Sequence, residues 1–374
     1  MKKQIWILIL IIAVIIVGLI IFVPKSKNST DKEMAETEKE VIKIGAILPL
    51  TGQIALLGEE LKNGIALAVE DINLNNKNRL EVIYEDSKID PKEGVSAINK
   101  LIDIDGVNYI HVAATPIITA VQPITEEKKV IITGTSISPA ILENADYTLR
   151  VFYNLEQALK KFTEFINQKS YSHVAVFYQN GDAWEQQVAE LEKEGINFIK
   201  KEKFNTGEKD FKTMLLKIKD SNPDLLVVFG YGSHFPILFQ QIEELGMNNI
   251  KILGGLDFLE VPQENFDLYK NAVFVVPSFN INPTKKSTEF IQQYENKFGK
   301  KPTHQAAYVY DAVNLYYLGL NNTDGTSSAI INYLKNLNSY DGVVGQIEIL
   351  QNGDTRSSLT FVVYKDGKVV PYEE

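Results

Sequence analysis

Histidine, serine and glycine are the residue types here that could support catalysis, and their spacing assembles none of the usual sites. His111, His173, His234 and His304 are scattered without an H-x-x-x-H pair, and the chain has no cysteine, so no metal-ligand spacing occurs. His111 and His173 sit in strand-like apolar runs, where a structural role is the expectation. Ser136 has no glycine two residues after it, so the G-x-S-x-G elbow is missing. Gly230-Tyr231-Gly232 lacks the third glycine of a dinucleotide fingerprint, and no G-x-x-x-x-G-K-[ST] loop is present. Nothing here favours an enzyme, and no cofactor or metal is implied.

The elements that would position a site are easier to read. Residues 41–48 form a short apolar run rich in β-branched residues, as a central parallel strand requires. Pro49, Thr51 and Gly52 break it. Leu57, Leu61, Ala68 and Ile72 then recur at helical spacing, with charged residues mostly on the other face. This is half of a βαβ unit, and the loop between strand and helix is where such sheets hold small ligands.

The same rhythm continues. Strands are expected at 79–86, 107–114, 129–134, 173–179, 224–230, 250–255 and 272–278. Helices are expected around 91–104, 117–128, 154–169, 183–195, 210–220, 234–246, 285–298 and 303–320. Alternation of this kind predicts an α/β fold with doubly wound parallel sheets. The C-terminal GQIEIL and SLTFVVYKDGKVV segments, with Asn-Gly and Asp-Gly turns, read instead as antiparallel strands. A body of about 330 residues suggests two domains.

The first 40 residues set the expected location. Lys2 and Lys3 precede an apolar run from Ile5 to Val23. About 20 such residues span a bilayer core. Pro24, Lys25, Ser26 and Lys27 follow, without a small-residue cleavage pattern. Residues 1–24 are therefore read as an uncleaved signal anchor or transmembrane helix, with a cleaved secretory signal as the alternative. Residues 25–40, polar and aperiodic, read as a flexible tether. The two lysines argue for a cytoplasmic N-terminus and an exported, extracytoplasmic body. The net charge of −10 and the absence of a basic stripe argue against nucleic acid as a partner.

Five segments in order carry a resemblance over about residues 41–370. They are GAILPLTGQIALLG with Gly58, LEVIYEDSKIDP, GVNYIHVAATPIITAVQPITEEKKVIITGTSISP, PTHQAAYVYDAVNLY with Tyr310-Asp311-Ala312, and YDGVVGQIEILQNGD with Gly342, Gly345, Gly353 and Asp354. Together they closely resemble type I periplasmic solute-binding proteins, the family that includes the leucine/isoleucine/valine-binding proteins of ABC transporters. The resemblance implies two lobes joined by a three-segment hinge, with lobe one at 41–150 plus 278–354 and lobe two at 151–277 plus 355–374. It implies a small-molecule ligand, an amino acid or a related amide or carboxylate, held between lobes that close on it.

It also nominates residues. Thr115 falls near a family serine whose hydroxyl meets a ligand carboxylate; a turn-starting role before Pro116 is the alternative. Ser136 and Ser138 occupy a loop that grips the carboxylate and ammonium of an amino acid, or else cap the turn before Pro139. Trp184 stands where the family often has a tyrosine closing over the ligand. Tyr231 and Phe235 would wall the side-chain pocket or pack in the core. Asp257 lies near the family's acidic partner of the ligand ammonium, with Leu256 the alternative occupant of that slot. A carboxylate in a dry cleft needs a cation beside it, so Asp257 there would imply an amine. Departures occur at Val112-Ala113-Ala114 (for Gly-Pro), Glu185 (for Gly), Ser87 (for Asp) and Asn75-Asn76 (for Gly-Gly).

Two roles follow from the resemblance. One is the solute receptor of an ABC importer, delivering to a permease. The other is a ligand-sensing ectodomain, which in a chain ending at Glu374 would signal through a partner membrane protein.

Overall fold

Apolar, β-branched runs become the strands in the structure, a computed structural model that describes residues 41–373 apart from residues 53, 77–78, 231 and 257–267. The expected anchor and tether, residues 1–40, lie outside the described residues, as do Tyr231 and Asp257. Among the described residues no helix is long and apolar enough to cross a membrane.

The first sheet contains β1 (Val41–Leu48), β2 (Arg79–Asp86), β3 (Tyr109–Ala113), β4 (Ile131–Thr135) and β5 (Thr148–Leu149). Their order is β2-β1-β3-β4-β5 and every pairing is parallel. Helices α1 (Ala55–Asn75), α2 (Pro91–Asp103) and α3 (Thr115–Lys128) make the connections. The second sheet has the order β15-β14-β10-β9-β8-β6-β7. It is built from β6 (Val174–Gln179), β7 (Phe198–Phe204), β8 (Leu225–Phe229), β9 (Lys251–Gly254), β10 (Ala272–Pro277), β14 (Leu359–Lys365) and β15 (Lys368–Pro371). Helices α4 (Leu155–Gln168), α5 (Asp182–Lys193), α6 (Lys212–Asp220) and α7 (Phe235–Glu244) accompany it. After β10 come α8 (Lys285–Phe298), α9 (His304–Asn321) and α10 (Ser327–Lys335). A small antiparallel sheet of β11 (Ser339–Gly342), β12 (Gly345–Ile349) and β13 (Thr355–Ser357) follows.

Both large sheets are covered on two faces, which explains their continuous apolar runs. Ile47, Ile110, Val112 and Ile132 pack with α2 and α3, whereas Ile44, Ala46, Leu48 and Tyr109 face α1 and α9. In the second sheet Ala175, Phe177, Leu226 and Val228 pack with α6 and α7, and Val176, Val227 and Leu253 with α4 and α5. Two glycines permit close approaches around α1. A Cβ at Gly64 would lie 2.4 Å from the Ala306 carbonyl of α9, and one at Gly58 would lie 2.1 Å from the Pro49 carbonyl.

The parallel alternation matches the sequence reading in both sheets. Elements absent from that reading are β5, β7, α10, β11 and β13. The end of the chain is antiparallel as expected: β14 turns into β15 through Asp366-Gly367, both at positive φ, and β14 pairs antiparallel with β10.

Candidate functional site

In each large sheet the strand order reverses once, between β1 and β3 and between β6 and β8. Loops diverge at such points and leave a crevice at the strands' carboxyl ends. Thr115 follows β3 and Trp184 follows β6, so two nominated residues lie beside the two switch points.

The loop after β1 is held from the neighbouring strand. Asp86 accepts hydrogen bonds from the Leu50 amide at 2.9 Å, Thr51 Oγ1 at 2.5 Å and the Lys88 amide at 3.0 Å. Partial burial works against ionisation, but these bonds outweigh it and hold the carboxyl below its ordinary range. Beside this loop β3 ends at Ala113, and the next residue, Ala114, has a φ of 77°, uncommon for a residue with a side chain.

Thr115 opens α3, and its hydroxyl lies 2.7 Å from that of Ser136, which is buried just beyond β4. Ser136 Oγ also accepts from the Ser138 amide at 3.0 Å. When Ser136 Oγ donates to Thr115 Oγ1 rather than to the Ser138 carbonyl 3.5 Å away, the Thr115 proton and a lone pair on each oxygen stay available to a ligand. Ser138 Oγ accepts from the Ala140 amide at 3.3 Å and caps the short helical turn Pro139–Leu142. The capping alternative therefore describes the position of Ser138.

Ile137, between these serines, lines a cavity of about 40 Å³ with Tyr153, Trp184, Phe229 and Leu256. Leu155, Ala158 and Leu159 of α4, Phe162, Gln187 and Gly255 complete it. Trp184 is 7% exposed and reaches the cavity from the first turn of α5. Its wall and the Ser136–Ser138 loop thus meet through Ile137. Leu256, named as the alternative to Asp257, faces the same space. Phe235 instead packs in the core of the second sheet against Phe239, its core alternative.

Several functional candidates were not nominated from the sequence: Ile137, Tyr153, Gln187 and, behind them, Arg150. Arg150 is 1% exposed and pairs with Asp354 at 2.7 Å, while its Nη1 donates to the Ile137 carbonyl at 2.5 Å. His111 is structural as expected. Burial depresses it to about 3, and its two ring nitrogens lie 2.9 and 3.0 Å from the hydroxyls of Thr133 and Thr135.

A larger groove of about 540 Å³ lies between α1, α8, α9 and β11, lined by Asp71, Asn75, Glu289, Tyr310 and Asp341 among others. It sits at the carboxyl end of α1, away from the strand-end loops where parallel sheets gather ligands. Position therefore favours the smaller cavity as the candidate site.

Comparison with known proteins identifies the family. Residues 41–368 match the family model described as periplasmic binding protein. A Leu/Ile/Val-binding protein homolog of Brucella melitensis is 27% identical, over 89% of this chain and 94% of its own length. Among solved structures, a branched-chain amino acid transporter substrate-binding protein from Streptococcus pneumoniae, in complex with isoleucine, is 22% identical with a TM-score of 0.75. The match covers 88% of this chain and 98% of that one. A solute-binding protein from Rhodopseudomonas palustris, in complex with 3,4-dihydroxybenzoic acid, has a TM-score of 0.75 at 22% identity, covering 89% and 96%. The chain belongs to the periplasmic binding protein family and is a binding protein rather than an enzyme.

Proposed function

We propose that this chain is the extracytoplasmic receptor of an ABC-type importer, capturing an amino acid with an apolar side chain between two hinged lobes. Lobe one comprises residues 41–150 and 278–354, and lobe two 151–277 and 355–374. Residues 1–24 hold the body at the membrane and residues 25–40 tether it.

The observation that carries the reading is the cavity beside the β6–β8 switch point, apolar on its walls and joined through Ile137 to the neighbouring Thr115–Ser136 hydroxyl pair. Thr115 and Ser136 receive the ligand carboxylate. Asp257 meets the ammonium, and Trp184 and Tyr231 close over the side chain beside Ile137, Phe229 and Leu256. Ser138 acts through its backbone and as a cap. The cavity of about 40 Å³ has room for only a few waters, so an amino acid enters when the walls separate and is enclosed when they return. The aromatic walls suit a hydroxybenzoate as well, which is a second reading of the same cleft.

A thermal-shift screen of amino acids, amides and small aromatic acids tests this. A ligand at about 100 times its Kd should add about 2.7 kcal/mol of stability. Shifts confined to hydroxybenzoates would favour the second reading. No shift with any α-amino acid would remove the first.

A further inference from the structure

We infer that the buried Arg150–Asp354 ion pair positions both walls of the cleft, an inference that rests on the cleft reading above. Arg150 Nε and Nη2 donate to the two Asp354 carboxylate oxygens at 2.8 and 2.7 Å. The remaining arm, Nη1, donates to the carbonyl of Ile137 at 2.5 Å. The guanidinium thus ties Asp354 to the residue that forms one wall. The same carboxylate reaches the other wall. Asp354 Oδ2 accepts from Asn154 Nδ2 at 2.9 Å, and Asn154 Oδ1 accepts from the Gln157 amide at 2.9 Å, capping α4. Leu155, Ala158 and Leu159 of that helix line the cavity.

The backbones are joined at the same place. The Arg150 amide donates to the Gly353 carbonyl at 2.8 Å, and Thr355 Oγ1 donates to the Arg150 carbonyl at 2.8 Å. Arg150 and Asp354 belong to two of the segments that run between the proposed lobes. Any rotation of one lobe on the other must therefore work against this node. Lysine cannot replace the planar fork, and removing either charge leaves the other buried and unpaired. Arg150, Asp354 and Asn154 are positioning residues that act through Ile137 and α4 without contacting the ligand.

The test uses the full-length protein in detergent. It carries spin labels at Glu127→Cys and Glu194→Cys, exposed positions on α3 and just past α5 in a chain without cysteine of its own. Electron–electron distance measurements without ligand should give a broader or shifted interlobe distribution for Asp354→Asn than for the unsubstituted labelled protein. Asn154→Ser keeps a good helix cap but is too short to reach Asp354, so it tests the node should Asp354→Asn fail to fold. With L-leucine as the probe, both variants should bind about tenfold or more weakly while remaining folded by circular dichroism. A parent that does not bind leucine would fault the ligand reading and leave the distance result decisive. Distributions of the folded variants that superimpose on the parent would overturn the inference, because a merely structural role lowers melting temperature without moving the lobes.

Discussion

A Cβ added to Gly342 would lie 2.4 Å from the Asp311 carboxylate, which itself accepts the amides of Val343 and Val344 at 2.8 and 3.0 Å. Two segments of the family resemblance, Tyr310-Asp311-Ala312 and Gly342 to Gly345, are therefore one structural unit. Asp311 on α9 fixes the β11–β12 turn, and the glycine makes room for it. Gly342→Ala should destabilise the fold by about 1–3 kcal/mol, the usual scale for overpacking, in denaturant unfolding. Unchanged stability would show that the turn relaxes around the methyl.

Burial pushes the Asp311 carboxyl up to about 7, against the two backbone amides and Lys286, which favour its ionised form. The folded state thus keeps the proton between about pH 4 and 7, where the unfolded chain releases it. The contribution is full below that window and is lost as pH rises through it. The stability difference between wild type and Asp311→Asn should fall with pH there, by at most about 1.4 kcal/mol per unit. A difference independent of pH from 4 to 8 would refute the assignment.

Ala114 holds a φ of 77° and a ψ of 129° between β3 and Thr115, a region that glycine alone visits freely. Most alanine-to-glycine changes destabilise. This one should raise stability by about 1 kcal/mol, because strain relief exceeds the added entropy of the unfolded chain. A lower melting temperature would mean that the loop holds Ala114 without strain.

Trp184 lines the cavity and Ser136 lies next to its Ile137 wall, so their variants separate the parts of a ligand. Trp184→Ala should weaken binding of an apolar amino acid by about tenfold or more, near 1.4 kcal/mol. Ser136→Ala should weaken every ligand that carries a carboxylate, whatever its side chain. Equal affinities in calorimetric titrations of wild type and variant would take that residue out of the site.

Much of this was legible because parallel strands buried on both faces announce themselves as apolar runs. The strand β7, FIKKEKF, did not, since it is an edge of the sheet and carries four consecutive charged residues between its apolar ends. Helix α10 has nine residues and follows a polar Asn-Asn-Thr-Asp-Gly stretch, too short a period to stand out. Among the candidate site residues, Thr115, Ser136 and Trp184 were nominated from the family resemblance, and each follows a strand end. Ile137 was not, because the direction of a loop isoleucine depends on what holds its backbone. The holder, Arg150, carried a signal that went unread. It is one of three arginines, with Arg79 and Arg356, and it sits inside the apolar run Leu149-Arg150-Val151-Phe152.

Trp184 also supplies the most direct test of the cleft, since the chain has two tryptophans and Trp6 is replaceable by phenylalanine. In a Trp6→Phe background, titration with L-leucine, L-isoleucine and L-valine should give a saturable change in Trp184 emission with a micromolar or tighter Kd for at least one of them. A folded protein whose emission stays unchanged at millimolar concentrations of every α-amino acid would contradict the account.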